Sequence, residues 1–106
     1  MQKFGKLYKI RPESIDEYEK AHARMWPEMS KLIKDAGFKN YSIFAQKDGT
    51  LFAYWEHENI EEGFRIMNSS KIRPKWEEYM NKFFVKSDQS IMGPEYEDLK
   101  MVWHQD

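Results

Sequence analysis

The chain has 106 residues, no cysteine and nearly balanced charge: 17 Lys and Arg against 18 Asp and Glu, for a net charge of −1. That length supports a single domain, residues 1–106, with one core, in which folding buries roughly two-thirds of the unfolded chain's surface. The composition excludes disulfides, thiolate nucleophiles and cysteine-bound zinc, and it lacks the basic footprint of a nucleic-acid binder.

No apolar run is long enough to span a bilayer, and the first ten residues alternate instead of forming the apolar centre of a leader. The expectation is therefore a cytoplasmic protein with a small-molecule partner, without nucleic acid or membrane. Aromatic residues make up 16% of the chain. That is more than a small core needs, and such rings also line ligand pockets, where their faces meet C–H surfaces and their polar tips form hydrogen bonds.

Residues 3–10 alternate, with Phe4, Lys6, Tyr8 and Ile10 on one side, which predicts a strand ended by Arg11-Pro12. Ser14 and Glu17 have the spacing of a capping box. Ile15, Tyr18, His22, Met25, Met29, Leu32 and Ile33 then recur at helical spacing up to Gly37. Pro27 interrupts this helix, because its ring removes a backbone donor and drives Trp26 out of helical geometry, so a kink or restart is expected there.

Residues 38–46 read as a strand with Tyr41, Ile43 and Ala45 on one face. Asp48-Gly49 predicts a two-residue hairpin turn into a strand at 51–57. Asn59 caps a short helix from Ile60 to Met67, and a second helical stretch runs from Pro74 to Phe84. Residues 86–95 read as a loop and 97–104 as a last strand.

Strand, helix, strand, strand, helix, strand is the order of the ferredoxin-like βαββαβ fold, an α+β arrangement of an antiparallel sheet with helices on one face. Several strands carry aromatic residues on both sides, so the open face needs a cover. A second copy packing there would make a dimeric α/β-barrel.

Tyr18 and His22 are four residues apart and project from one helical face, which puts a phenol beside an imidazole able to exchange protons near neutrality. His22, His57 and His104 show no metal-ligand spacing, so no metal is expected. No Gly-rich phosphate loop or Gly-x-Ser-x-Gly elbow is present. Tyr79 and Met80 have the spacing of residues that anchor a helix to a sheet. Trp76, followed by Glu77, pairs an indole with a carboxylate, a combination suited to a polyol.

Glu17-Tyr18, His22, Trp26-Pro27-Glu28, Asn40-Tyr41, Trp76 with Tyr79-Met80, Gly93-Pro94 and the stretch from Leu99 to His104 together resemble the L-rhamnose mutarotase family over essentially the whole chain. The resemblance implies a homodimer that interconverts the α and β anomers of L-rhamnose without cofactor or metal. It matches His22 to the family's proton donor and Tyr18, Tyr41 and Trp76 to its substrate-contacting positions. Where the family carries a second tryptophan after Trp76, this chain has Glu77, which is expected to accept a hydrogen bond from a sugar hydroxyl. The competing readings for such a fold are a cofactor-free dimeric α/β-barrel monooxygenase and a non-catalytic sugar-binding module.

Overall fold

The computed structural model describes residues 1–106. Four strands, β1 (Gln2–Lys9), β2 (Lys39–Ala45), β3 (Thr50–His57) and β4 (Glu97–Leu99), form one sheet in the order β2-β3-β1-β4. All neighbours are antiparallel, which is the ferredoxin-like strand order expected from the sequence. Helices α1 (Ile15–Ala23) and α2 (Pro27–Asp35) connect β1 to β2, and α3 (Ile60–Ser69) and α4 (Ile72–Met80) follow β3. None of them is long and apolar enough to cross a membrane.

The expected kink is a complete break between α1 and α2. Trp26 takes an extended conformation (φ −56°, ψ 132°), and Pro27 opens α2 at a position where its missing N–H costs nothing. Ser14 stands at the N-terminus of α1, but the capping box does not form. A turn of 3₁₀ helix from Pro12 to Ser14 already holds Ser14 in helical geometry, and its side chain caps nothing. Gly37, at φ 90°, closes α2: its N–H bonds the Lys34 carbonyl, and the Phe38 N–H bonds that of Ile33.

Two strand details also differ from expectation. Only Gly49 of the hairpin has positive φ, so the turn has three residues, closed by a Gln46 N–H to Thr50 carbonyl bond of 2.8 Å, with the Asp48 carboxylate accepting from the Thr50 N–H. The last strand stops at Leu99; Lys100–Asp106 has no regular structure, and Trp103 and His104 lie beyond the sheet.

The core lies between the helices and one sheet face, where Tyr8, Leu51, Ala53 and Trp55 pack with Tyr18, Met29, Met67, Trp76 and Met80. The other face presents Leu7, Phe52, Phe44 and Leu99, and Phe44 is 63% exposed. Met80 is buried as expected, whereas Tyr79 is exposed and packs on Trp26 and Trp76.

Candidate functional site

Between the helices and the sheet lies a mainly apolar cavity of about 940 Å³. Tyr18 and His22 from α1, Tyr41 from β2, and Trp76 and Glu77 from α4 all line it, so the fold gathers every expected site residue around one cavity. No three His, Asp or Glu side chains come together as a metal-binding group.

A backbone irregularity puts Tyr41 there. Lys39 pairs with Glu56 and Ser42 with Tyr54, so Asn40 and Tyr41 together oppose Trp55 in a β-bulge. Asn40 takes φ 53°, a left-handed conformation that asparagine tolerates better than most residues, and its side chain donates to Glu56 at 3.2 Å. A regular register counted on from Lys39 would set Tyr41 opposite Tyr54, on the sheet face away from the cavity; the bulge keeps it on the face of Ile43.

His22 is held by its own helix. A carbonyl only accepts, so the 3.1 Å contact between His22 Nδ1 and the Tyr18 carbonyl requires the proton to be on Nδ1. Nε2 then carries the lone pair. Burial pushes the imidazole pKa below its usual 6.5, and the bond to the Tyr18 carbonyl opposes this only in part. At neutral pH His22 is an uncharged base with one nitrogen open. Its ring lies 4.4 Å from that of Tyr18 and 5.9 Å from Trp76, the latter edge to face.

Four phenols share this cavity. The Tyr8 and Tyr18 hydroxyls are 2.7 Å apart, and burial raises the pKa of both well above the ordinary tyrosine range. Tyr41 and Tyr96 also line the cavity, although 38% and 42% of their surface is exposed. Burial raises both, and for Tyr41 the Tyr96 hydroxyl and the Arg73 guanidinium pull the other way. At pH 7 all four are neutral hydrogen-bonding groups.

Glu77 lines the cavity as one member of an ion pair, its Oε1 3.3 Å from Arg73 Nε. Arg73 also donates to Asn68 at 2.6 Å. Gly93, at φ 86°, lets the following loop close on Glu77: a Cβ there would stand 2.5 Å from Oε2.

Sequence reasoning missed Tyr8, Arg73 and Tyr96. Tyr8 carried a signal, because it lies on the same strand face as the core residues. Arg73 carried one as well, since it stands four residues before Glu77 on the same helix; Tyr96 carried none, because a loop tyrosine acquires meaning only from the packing of the loop on the sheet.

Comparison with known proteins supplies the family. Residues 3–105 match the family model described as L-rhamnose mutarotase. An L-rhamnose mutarotase of Oceanobacillus iheyensis is 39% identical over 107 aligned positions that cover the whole of both chains. One from Lactiplantibacillus plantarum is 34% identical with the same coverage. The crystal structure of an L-rhamnose mutarotase from Formosa agariphila superposes with a TM-score of 0.83 at 25% identity, over all of both chains. A match across the whole sequence, a shared fold and a cavity that gathers the motif residues agree: this chain belongs to the L-rhamnose mutarotase family.

Proposed function

We propose that this chain interconverts the α and β anomers of L-rhamnose, or of a closely related 6-deoxy sugar, by acid/base ring opening and closure. The observation that carries this reading is the half-buried His22 on the cavity wall, its Nδ1 tied to the Tyr18 carbonyl and its Nε2 without a protein partner, in a chain matched end to end by the family. Proton transfer by such a positioned group typically contributes about 10²–10⁴-fold to the rate.

His22 Nε2 takes the proton from the anomeric hydroxyl as the C1–O5 bond breaks. The O1 electrons form the aldehyde carbonyl, and the C1–O5 pair stays on O5. The imidazolium, now an acid, gives the same proton to O5. Rotation about C1–C2 and the reverse sequence close the ring on the other face, with no net gain or loss of protons or electrons. The tyrosines act as orienting hydrogen-bond groups, because burial makes ionised phenolates unfavourable and leaves the imidazole as the proton carrier.

In this reading Tyr18 and Tyr41 hold sugar hydroxyls, Trp76 offers apolar surface to the C–H side and the C5 methyl, and Glu77, held by Arg73, accepts from a hydroxyl. We further propose that the 106 residues act as one domain in the cytoplasm. A second copy covers the sheet face bearing Leu7, Phe44, Phe52 and Leu99, so that light scattering after size exclusion finds a dimer.

The test is exchange NMR on L-rhamnose at anomeric equilibrium, with L-fucose and D-glucose as controls. Magnetisation passing between the α and β anomeric protons faster than without protein supports the proposal. Absence of enhancement by folded protein overturns it, and oxygen uptake with a polycyclic phenol would then favour the monooxygenase reading.

A further inference from the structure

Arg73 and Glu77 stand one turn apart on α4, and both line the cavity, with 24% and 28% of their side chains exposed. Each ion is only partly engaged within the protein. Arg73 Nε faces Glu77 Oε1 at 3.3 Å and Arg73 Nη1 donates to Asn68 at 2.6 Å, while the ring of Phe64, another cavity residue, lies 6.0 Å from the guanidinium carbon. Arg73 Nη2 and Glu77 Oε2 make no hydrogen bond to the protein. The sole buried side-chain nitrogen or oxygen without a partner is Trp55 Nε1 on β3, so these two atoms keep accessible surface. Gly93 adds no side chain over Oε2, since a Cβ there would lie 2.5 Å from it. The Arg73 charge also reaches the phenols of Tyr41 and Tyr96, which places the guanidinium beside two further cavity residues.

We infer that Arg73 and Glu77 grip two adjacent hydroxyls of the bound sugar, Arg73 Nη2 donating to one oxygen and Glu77 Oε2 accepting from its neighbour. The inference rests on the mutarotase reading and deepens it, by making Arg73 a specificity-determining residue. A guanidinium only donates and a carboxylate only accepts, whereas a hydroxyl does both, so a vicinal diol satisfies the two free ends of the pair together. A sugar lacking one of those hydroxyls leaves a charged group unpaired. His22 works on O1 and O5, which leaves the hydroxyls at C2, C3 and C4. Any adjacent two of these include O3.

The experiment measures anomeric exchange of L-rhamnose and of its 2-, 3- and 4-deoxy forms with the wild-type protein, Arg73→Met and Glu77→Met. Methionine keeps an unbranched chain to pack on Phe64 and removes the polar end. With the wild type, the 3-deoxy sugar and one of the other two should show KM raised about tenfold, with kcat nearly unchanged. Each variant should raise KM for L-rhamnose about tenfold and lose nothing further on one deoxy sugar. The two deoxy positions should be adjacent and differ between the variants. In parallel, the Arg73 side-chain N–H signals of the wild type are followed by ¹H–¹⁵N NMR during titration with L-rhamnose, and should move and saturate at the sugar concentration that half-saturates exchange.

A wild-type KM for the 3-deoxy sugar within twofold of that for L-rhamnose overturns the inference, as does an Arg73→Met variant that raises KM by one factor for all four sugars. Arg73 signals that stay in place while exchange saturates overturn it too, whether or not the variants fold. Should no sugar exchange faster with protein, the mutarotase reading fails on its own readout. The Arg73 signals then decide the grip: movement with L-rhamnose keeps it, and immobility removes it.

Discussion

His57 and His22 show how one fold makes two different uses of the same side chain. His57, at the end of β3, has both nitrogens engaged: Nε2–H donates to the Ala36 carbonyl at 2.6 Å, and Nδ1 accepts from the Asn59 N–H at 2.8 Å. It clasps the end of α2 to the start of α3. His22 has one nitrogen tied to the Tyr18 carbonyl and the other open on a cavity wall. A histidine with both nitrogens bonded to backbone is part of the frame, whereas one with a free nitrogen in a cavity retains proton-transfer capacity.

The sharpest way to break this comparison is to replace each in turn. His22→Asn should slow anomeric exchange of L-rhamnose about 10²–10⁴-fold while the urea unfolding midpoint stays near wild type. His57→Leu should do the reverse. It leaves the buried Ala36 carbonyl without its donor and costs roughly 2–4 kcal/mol in urea unfolding, with kcat per folded molecule retained. Equal losses of activity and stability in both variants would erase the distinction.

Gly63→Ala probes the clasp from outside. In an isolated helix this change stabilises by about 1 kcal/mol. Here the new Cβ would lie 2.5 Å from His57 Nε2, and the ring cannot yield without losing its two backbone bonds, so a net loss of about 1–3 kcal/mol in urea unfolding is expected.

The smallest effect is in pH. The base form of His22 is the working form, and burial lowers its pKa, so kcat/KM should hold level above pH 6.5 and fall only as pH drops through the depressed value. Stability follows the same direction, because the folded state resists protonation that the unfolded chain accepts below pH 6.5. An acid limb centred above pH 6.5 would contradict the burial argument.

Local chemistry made some of this legible beforehand. Pro27 announces the break between α1 and α2, Gly37 the end of α2, and Asn59 the start of α3, where its side chain accepts from the Glu62 N–H at 3.4 Å. Each depends on one residue and its immediate neighbours. Ser14 misled because a preceding 3₁₀ turn had already satisfied helical geometry, and the last strand fell short because only Gly5, Lys6 and Leu7 of β1 pair with it.

The site divides along the same line. Tyr18 beside His22 follows from spacing within one helix. The Tyr8–Tyr18 bond, the approach of the Gly93 loop to Glu77 and the unpaired Trp55 donor each depend on different elements of the chain meeting, and no local pattern encodes that.

The most direct test of the contrast is long-range ¹H–¹⁵N NMR of the imidazole nitrogens at pH 7.5. The account predicts opposite neutral tautomers, with the proton on Nδ1 of His22 and on Nε2 of His57, and a His22 Nε2 signal that shifts when L-rhamnose is added. A His22 that is already an imidazolium at that pH, or that carries its proton on Nε2, would contradict it.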